Sequence, residues 1–190
     1  MAGTRIFETD PDAMPRQQRR APDYVGRFRS GRLNGRRPES LSEWRVTTAD
    51  PDVASAVAGM LGGSPQEWDT TGEDGIEVLT NADSVGIVID GSDSIESRLA
   101  HWVNGKLVHE CDGVEFLDDE RRGTPCGCPS LLAERKHAAR NEAGPKPDVR
   151  LRFRLADDPD LGEFRFVSSS WDLLRTLHLV ENDLDTAGAP

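Results

Sequence analysis

The sequence predicts an α+β fold on a mixed or mostly antiparallel sheet, with about four helices and a small Cys/His metal knuckle. Three observations carry that expectation. Val149, Leu151, Phe153 and Leu155 alternate with Arg150, Arg152 and Arg154, the period of a half-buried strand. Other apolar residues recur at helical spacing behind capping residues. Strands and helices follow one another irregularly, through hairpin-like turns rather than crossover units.

Taken in order, residues 1–24 read as a flexible arm, because Pro11, Pro15 and Pro22 interrupt any regular element. A single domain is expected over 25–184, with a flexible tail over 185–190. Trp44-Arg45-Val46-Thr47 alternates and suits a strand. Asp50 caps a helix with Pro51 at its first position, Val53, Val57 and Leu61 on one face, and Gly62-Gly63 at its end. Ile76 to Thr80 and Val85 to Ile89 read as a hairpin joined by Asn81-Ala82-Asp83. Asp93 and Glu96 form a capping-box pattern ahead of Ile95, Leu99 and Trp102, which predicts a second helix. Asn104-Gly105 is a turn, and Lys106 to His109 is extended. From Asp112 to Cys128 the chain reads as loop, with a short strand at Val114 to Phe116. Ser130 to Arg140 has helix-forming composition, and Gly144 to Pro147 reads as a stiff connector. The strand at Val149 to Leu155 turns at Asp158 to Gly162 and returns through Phe164 and Phe166. A last helix starts near Ser170 and carries Leu173, Leu174, Leu177 and Val180 as an apolar stripe.

The net charge of -11 is unevenly spread. Residues 1–45 hold ten Arg against six acids, or +4, which leaves -15 on the remainder. An acidic body disfavours wrapping nucleic acid over a large face, since phosphate repels it. Arg27, Arg29, Arg32, Arg36 and Arg37 are the candidate contacts to a partner, whether DNA or an acidic protein surface. Their plainer reading is a solvated segment with one or two extended strands. Nothing approaches the roughly 18 apolar residues of a membrane helix, and no secretory signal is visible, so a soluble cytoplasmic protein is expected. Phosphate-cradling glycine loops, H-E-x-x-H and Gly-x-Ser-x-Gly are absent, and no small-molecule substrate is implied. The acids at 118–120 and 157–158 read as solvated turns.

His109, Cys111, Cys126 and Cys128 are the most informative residues. Three cysteines is an odd count, and a cytoplasmic setting disfavours disulfides. Zinc takes four thiolate or imidazole ligands in a tetrahedron. Residues two apart on a strand share a face, so His109 and Cys111 can meet one ion. Gly127 lets Cys126 and Cys128 converge. His137 is the rival fourth ligand, on the helix that follows. Unligated cysteines are the plain alternative, and an iron–sulfur cluster fits less well because it mostly takes four cysteines. The site reads as structural, since neither Glu110 nor Asp112 is evidently aimed at a metal.

Several stretches together carry a family resemblance: Val25 to Ser30-Gly31, Glu43 to Thr47, Cys111-Asp112-Gly113-Val114, Pro125 to Pro129, and Arg154 to Gly162. With them the chain resembles the recombination directionality factors of actinobacterial phages and integrative elements, which partner large serine integrases. That resemblance implies a non-enzymatic accessory protein that binds the integrase on attachment-site DNA and biases recombination toward excision. It implies a further cysteine near Gly144-Pro145, which this chain lacks, so His109 or His137 must complete a metal site. The alternative is a small zinc-containing DNA-binding regulator using the arginine-rich segment.

Overall fold

The computed structural model describes residues 24–34, 37–68 and 74–187. The expected arm lies outside the described residues up to 23, as do Arg36 and the tail from 188.

Two long strands come first, β1 (Gly26–Asn34) and β2 (Arg37–Thr48), then helix α1 (Pro51–Leu61). Short strands follow: β3 (Pro65–Glu67), β4 (Ile76–Leu79) and β5 (Ile87–Val88). A 3-10 turn leads into the hairpin of β6 (Ile95–Val103) and β7 (Lys106–Cys111). Helix α2 (Leu132–Arg140) precedes β8 (Lys146–Leu155), β9 (Phe164–Ser168) and helix α3 (Trp171–Ala187). The sheet runs β3-β4-β2-β1-β9-β8-β6-β7, with β5 beside β8 off this path. Among the described strands, β1 and β9 form the parallel pair and the other pairings are antiparallel. The fold is therefore α+β and mostly sheet.

Helix α1 forms for the reasons legible in its sequence. The Asp50 carboxylate accepts the Asp52 amide at 2.8 Å, Pro51 fills the first turn, and Gly62 closes the end at φ 76°. Val53, Ala54 and Val57 are buried against β2 and β4. Helix α3 is capped by Ser170, whose hydroxyl accepts the Leu173 amide at 3.2 Å. It lies over β8 and β6, with Leu177 buried and Leu173, Leu174 and Val180 packed on the core. It runs to Ala187, so residues 185–187 extend the helix where the sequence suggests a tail.

The covered face of the sheet carries Phe28, Val46, Val78, Val149, Leu151, Phe153 and Phe164. Phe28 is the hub. Its ring meets Trp44, Phe153 and Phe164 edge-on, with centroids 5.8, 5.3 and 5.4 Å away.

Two expectations are corrected. Residues 93–102 do not form a helix: Ile95 to Val103 is a strand between β7 and β8, which leaves three α-helices rather than about four among the described residues. Ile95 and Leu99 are four apart, a spacing that keeps one face on a helix and on a strand alike; Trp102, which completed the helical pattern, is instead exposed beyond a register shift between His101 and Trp102. The segments at 76–80 and 85–89 do not pair with each other. Val78 sits opposite Val46, while Ile87 sits opposite Leu155. The intervening Ala82 carbonyl accepts the Trp44 amide at 2.8 Å, which ties that turn to β2.

Candidate metal centre

Strand β7 ends on Cys111, directly opposite Leu99 of β6, and His109 lies opposite His101. Alternation places His109 and Cys111 on one face and Glu110 on the other. There Glu110 pairs with Arg98, whose guanidinium also meets Asp148 at 2.8 Å. The strand bearing two candidate ligands is thus pinned to its neighbours from behind.

Beyond Cys111 the chain turns sharply. Asp112 caps the turn by accepting the Val114 and Glu115 amides at 2.7 and 2.8 Å, and Gly113 adopts φ 102°. The following loop folds back, so that Cys111 bridges to Phe116 and Glu115 to Pro125. The Cys126 amide donates to the Val114 carbonyl at 2.8 Å, which fixes the Cys126–Cys128 turn beside Cys111 and His109. Gly127 has φ 72°, a left-handed conformation that a side chain would strain, and it bends Cys126 and Cys128 toward one point. Arg135 of α2 donates to the carbonyls of Pro129 and Gly113, bracing both ends of the loop.

The donor atoms of His109, Cys111, Cys126 and Cys128 all lie within 4.8 Å of one another. Cys111 Sγ is 3.8 Å from Cys128 Sγ, which in turn is 3.4 Å from His109 Nε2. The three thiols are free, and 3.8 Å is far beyond the ~2.0 Å of a disulfide. Cys111 and Cys126 are buried, and the cluster packs against Leu99, Phe116, Trp171 and Leu174. His109 also lies against the Phe116 ring, centroids 4.8 Å apart. A cleft of about 270 Å³ opens beside it, between His101, Arg135 and Pro145. The set of donors can hold a metal ion. His137 is not among them: it is exposed on α2, with its ring nitrogen 3.0 Å from the Asn141 amide nitrogen.

Burial favours the neutral forms of His109, Cys111 and Cys128. Burial pushes the Cys111 thiol up to about 12, opposed by the Gly113 backbone and reinforced by Cys128. Burial likewise raises the Cys128 thiol. His109 is held below its ordinary value by burial, and then by Arg121 and His101. A thiol kept neutral by burial becomes a thiolate when a divalent cation binds, because the ion supplies the missing countercharge.

The candidate partner-contact arginines are spread along the first hairpin. Arg27 and Arg29 lie on the open face of β1, while Arg32 pairs with Glu39 at 2.9 Å. Arg37 is exposed at the start of β2. Sequence reasoning missed Arg98, Arg135 and Arg165. The alternation Phe164-Arg165-Phe166 places Arg165 on the open face, but its neighbours across the sheet are set by non-local pairing.

A family model described as Gp3-like, recombination directionality factor-like, matches residues 25–188. The chain belongs to this family. The directionality-factor match begins one residue before β1 and passes the end of α3, so it takes in every described strand and helix, and the Cys/His cluster with them. No solved structure matches the chain. Directionality factors are regulatory accessory proteins that partner a recombinase, not a class of enzymes. No helix among the described residues of this directionality-factor-like chain is long and apolar enough to cross a membrane.

Proposed function

We propose that this chain binds a large serine integrase on its attachment-site DNA and shifts recombination toward excision, without a catalytic step of its own. The family match over 25–188 carries this reading. In physical terms, the factor binds one arrangement of the integrase–DNA complex better than another, and that difference in affinity moves the equilibrium between them. The protein works as a cytoplasmic factor, with a single α+β domain from residue 25 through the end of α3 and the arm before it.

The same reading gives the Cys/His centre a structural zinc held by His109, Cys111, Cys126 and Cys128. A tetrahedron with Zn–S near 2.3 Å and Zn–N near 2.0–2.1 Å has S···S edges of about 3.8 Å and S···N edges of about 3.5–3.6 Å. Of the six donor separations, all within 4.8 Å, the 3.8 Å S···S and 3.4 Å S···N distances match these edges. Four protein donors fill a tetrahedron, which is the arrangement of a closed structural site. Bound there, zinc supplies a cross-link between the end of β7 and the loop that leads to α2.

The test is a recombination assay with the purified chain, the serine integrase encoded beside it, and separate excision and integration substrates. Excision should rise and integration fall when the chain is added. If both substrates react at unchanged rates, and the pair does not associate in a pull-down, the directionality reading is wrong.

A further inference from the structure

The open face of the sheet is an arginine surface. Register places Arg152, Arg165 and Arg27 side by side on β8, β9 and β1, with Arg29 two residues further along β1. Neighbouring strands lie ~4.8 Å apart, so these are like charges at close range, an arrangement that costs stability unless anions offset it. Among the described residues few carboxylates reach this face. Asp74 meets Arg27 at 2.9 Å and Arg29 at 3.9 Å, and among the described residues Arg165 and Arg152 form no ion pair. Arg45, the next cation along, is already committed to Glu77 at 2.6 Å. Crowding is felt at Arg29, whose guanidinium is held below its ordinary value by burial and then by Arg27 and Arg45.

Between β1 and β9, Arg27, Arg29 and Arg165 line a groove of about 470 Å³ together with Ser30 and Gly31. Tyr24 orders it. Its ring lies 5.1 Å from the Arg27 guanidinium and 5.7 Å from that of Arg165, so one aromatic ring borders both cations.

We propose that this groove is an oxyanion site for the backbone phosphates of nucleic acid, with Arg27, Arg29 and Arg165 as the contacting residues. It rests on the integrase reading for its setting: the phosphates are those of attachment-site DNA already held by the integrase. A carboxylate presents its oxygens in one plane and is satisfied by a single guanidinium fork. Three guanidiniums converging from two strands suit a polymer that offers a regular series of charges. The net charge of -11 restricts the contact to this patch and keeps affinity for free DNA low.

The experiment measures binding of the full chain to the integrase with and without attachment-site DNA, over a range of salt. Arg29→Gln with Arg165→Gln should weaken binding to the DNA-bound integrase about tenfold and flatten the salt slope by about two. Binding to DNA-free integrase should stay within about twofold. Arg165→Gln alone, at a residue with no ion pair to lose among those described, should give part of the loss, and Arg165→Lys should restore it. Arg122→Gln, on an exposed loop, is the charge control. An equal loss on DNA-free integrase would show that the groove takes an acidic protein segment, and no loss on either would show that it takes nothing. Both results overturn the proposal. If the wild-type chain binds neither form of integrase, the directionality reading fails and the groove is judged on a duplex alone at about 50 mM salt. Salt-sensitive binding that the double variant loses then sustains the phosphate site, and absence of binding ends it.

Discussion

His109 Nε2 lies 3.4 Å from Cys128 Sγ, although one residue sits on strand β7 and the other in the loop ahead of α2. Folding back the loop between them creates the cluster, and the cluster in turn holds the loop. A metal bound at that point would couple the strand edge to the loop ahead of α2.

One metal ion per chain is expected, measured by elemental analysis of purified protein, with zinc as the species. Stripping it with a chelator should lower stability by about 3–4 kcal/mol, the scale for a ligand present well above its dissociation constant. For a chain of this size that is a fall of roughly 10 °C in Tm. The main core around Phe28 does not include the cluster, so the sheet should remain folded. Metal-free protein with an unchanged Tm as purified would count against the site.

His109→Ala and His137→Ala separate the two candidate imidazoles. The first should lose bound metal or weaken it by tenfold or more, and the second should leave stoichiometry unchanged. Loss in the His137 variant alone would mean that α2 turns its exposed face toward the thiols, contrary to the geometry.

Gly127→Ala should weaken metal binding without removing a ligand. Its φ of 72° costs an L-residue about 1–2 kcal/mol, which opens the turn between Cys126 and Cys128. A competition titration with a chromogenic chelator would read the change.

Phe28→Ala should destabilise the fold by about 3–5 kcal/mol, as expected for an aromatic removed from a closed core. The ring is 2% exposed and touches three other aromatic rings, so little collapse is available to fill the space. Urea denaturation of metal-loaded protein gives the value, and a loss under 1 kcal/mol would contradict this packing.

Asp148 makes stability fall in acid. Burial alone would raise its carboxyl, but hydrogen bonds from Arg150 and Arg98 hold it below the ordinary carboxylate range. A carboxylate depressed in the folded state contributes stability that is present above its unfolded value, ~3.9, and lost as pH falls through the folded value. Asp148→Asn should cost about 2–3 kcal/mol at neutral pH, the scale of hydrogen bonds to a charged group. It should also flatten the acid side of the stability profile below about pH 4. An unchanged profile would place the acid sensitivity elsewhere.

The residues of the candidate metal centre were legible as a group because their spacing is local. His109 and Cys111 share a strand face, and Cys126-Gly127-Cys128 is a turn that glycine permits. Helix α1 and strand β8 were legible for the same reason: a cap, a proline and a strict period of two act within a few residues of one another. Tertiary structure decided what spacing leaves open. It made Ile95 to Val103 a strand, because β7 and β8 offer hydrogen bonds on both edges, and these outweigh the helical spacing of Ile95, Leu99 and Trp102. It placed His109 beside the thiols and left His137 on the exposed side of α2. It also set Arg27 beside Arg165, a parallel pairing between strands at opposite ends of the chain. Side-chain period is fixed by backbone geometry within one element, whereas partner choice depends on which distant segment buries the most surface, and that is determined only when the chain has folded.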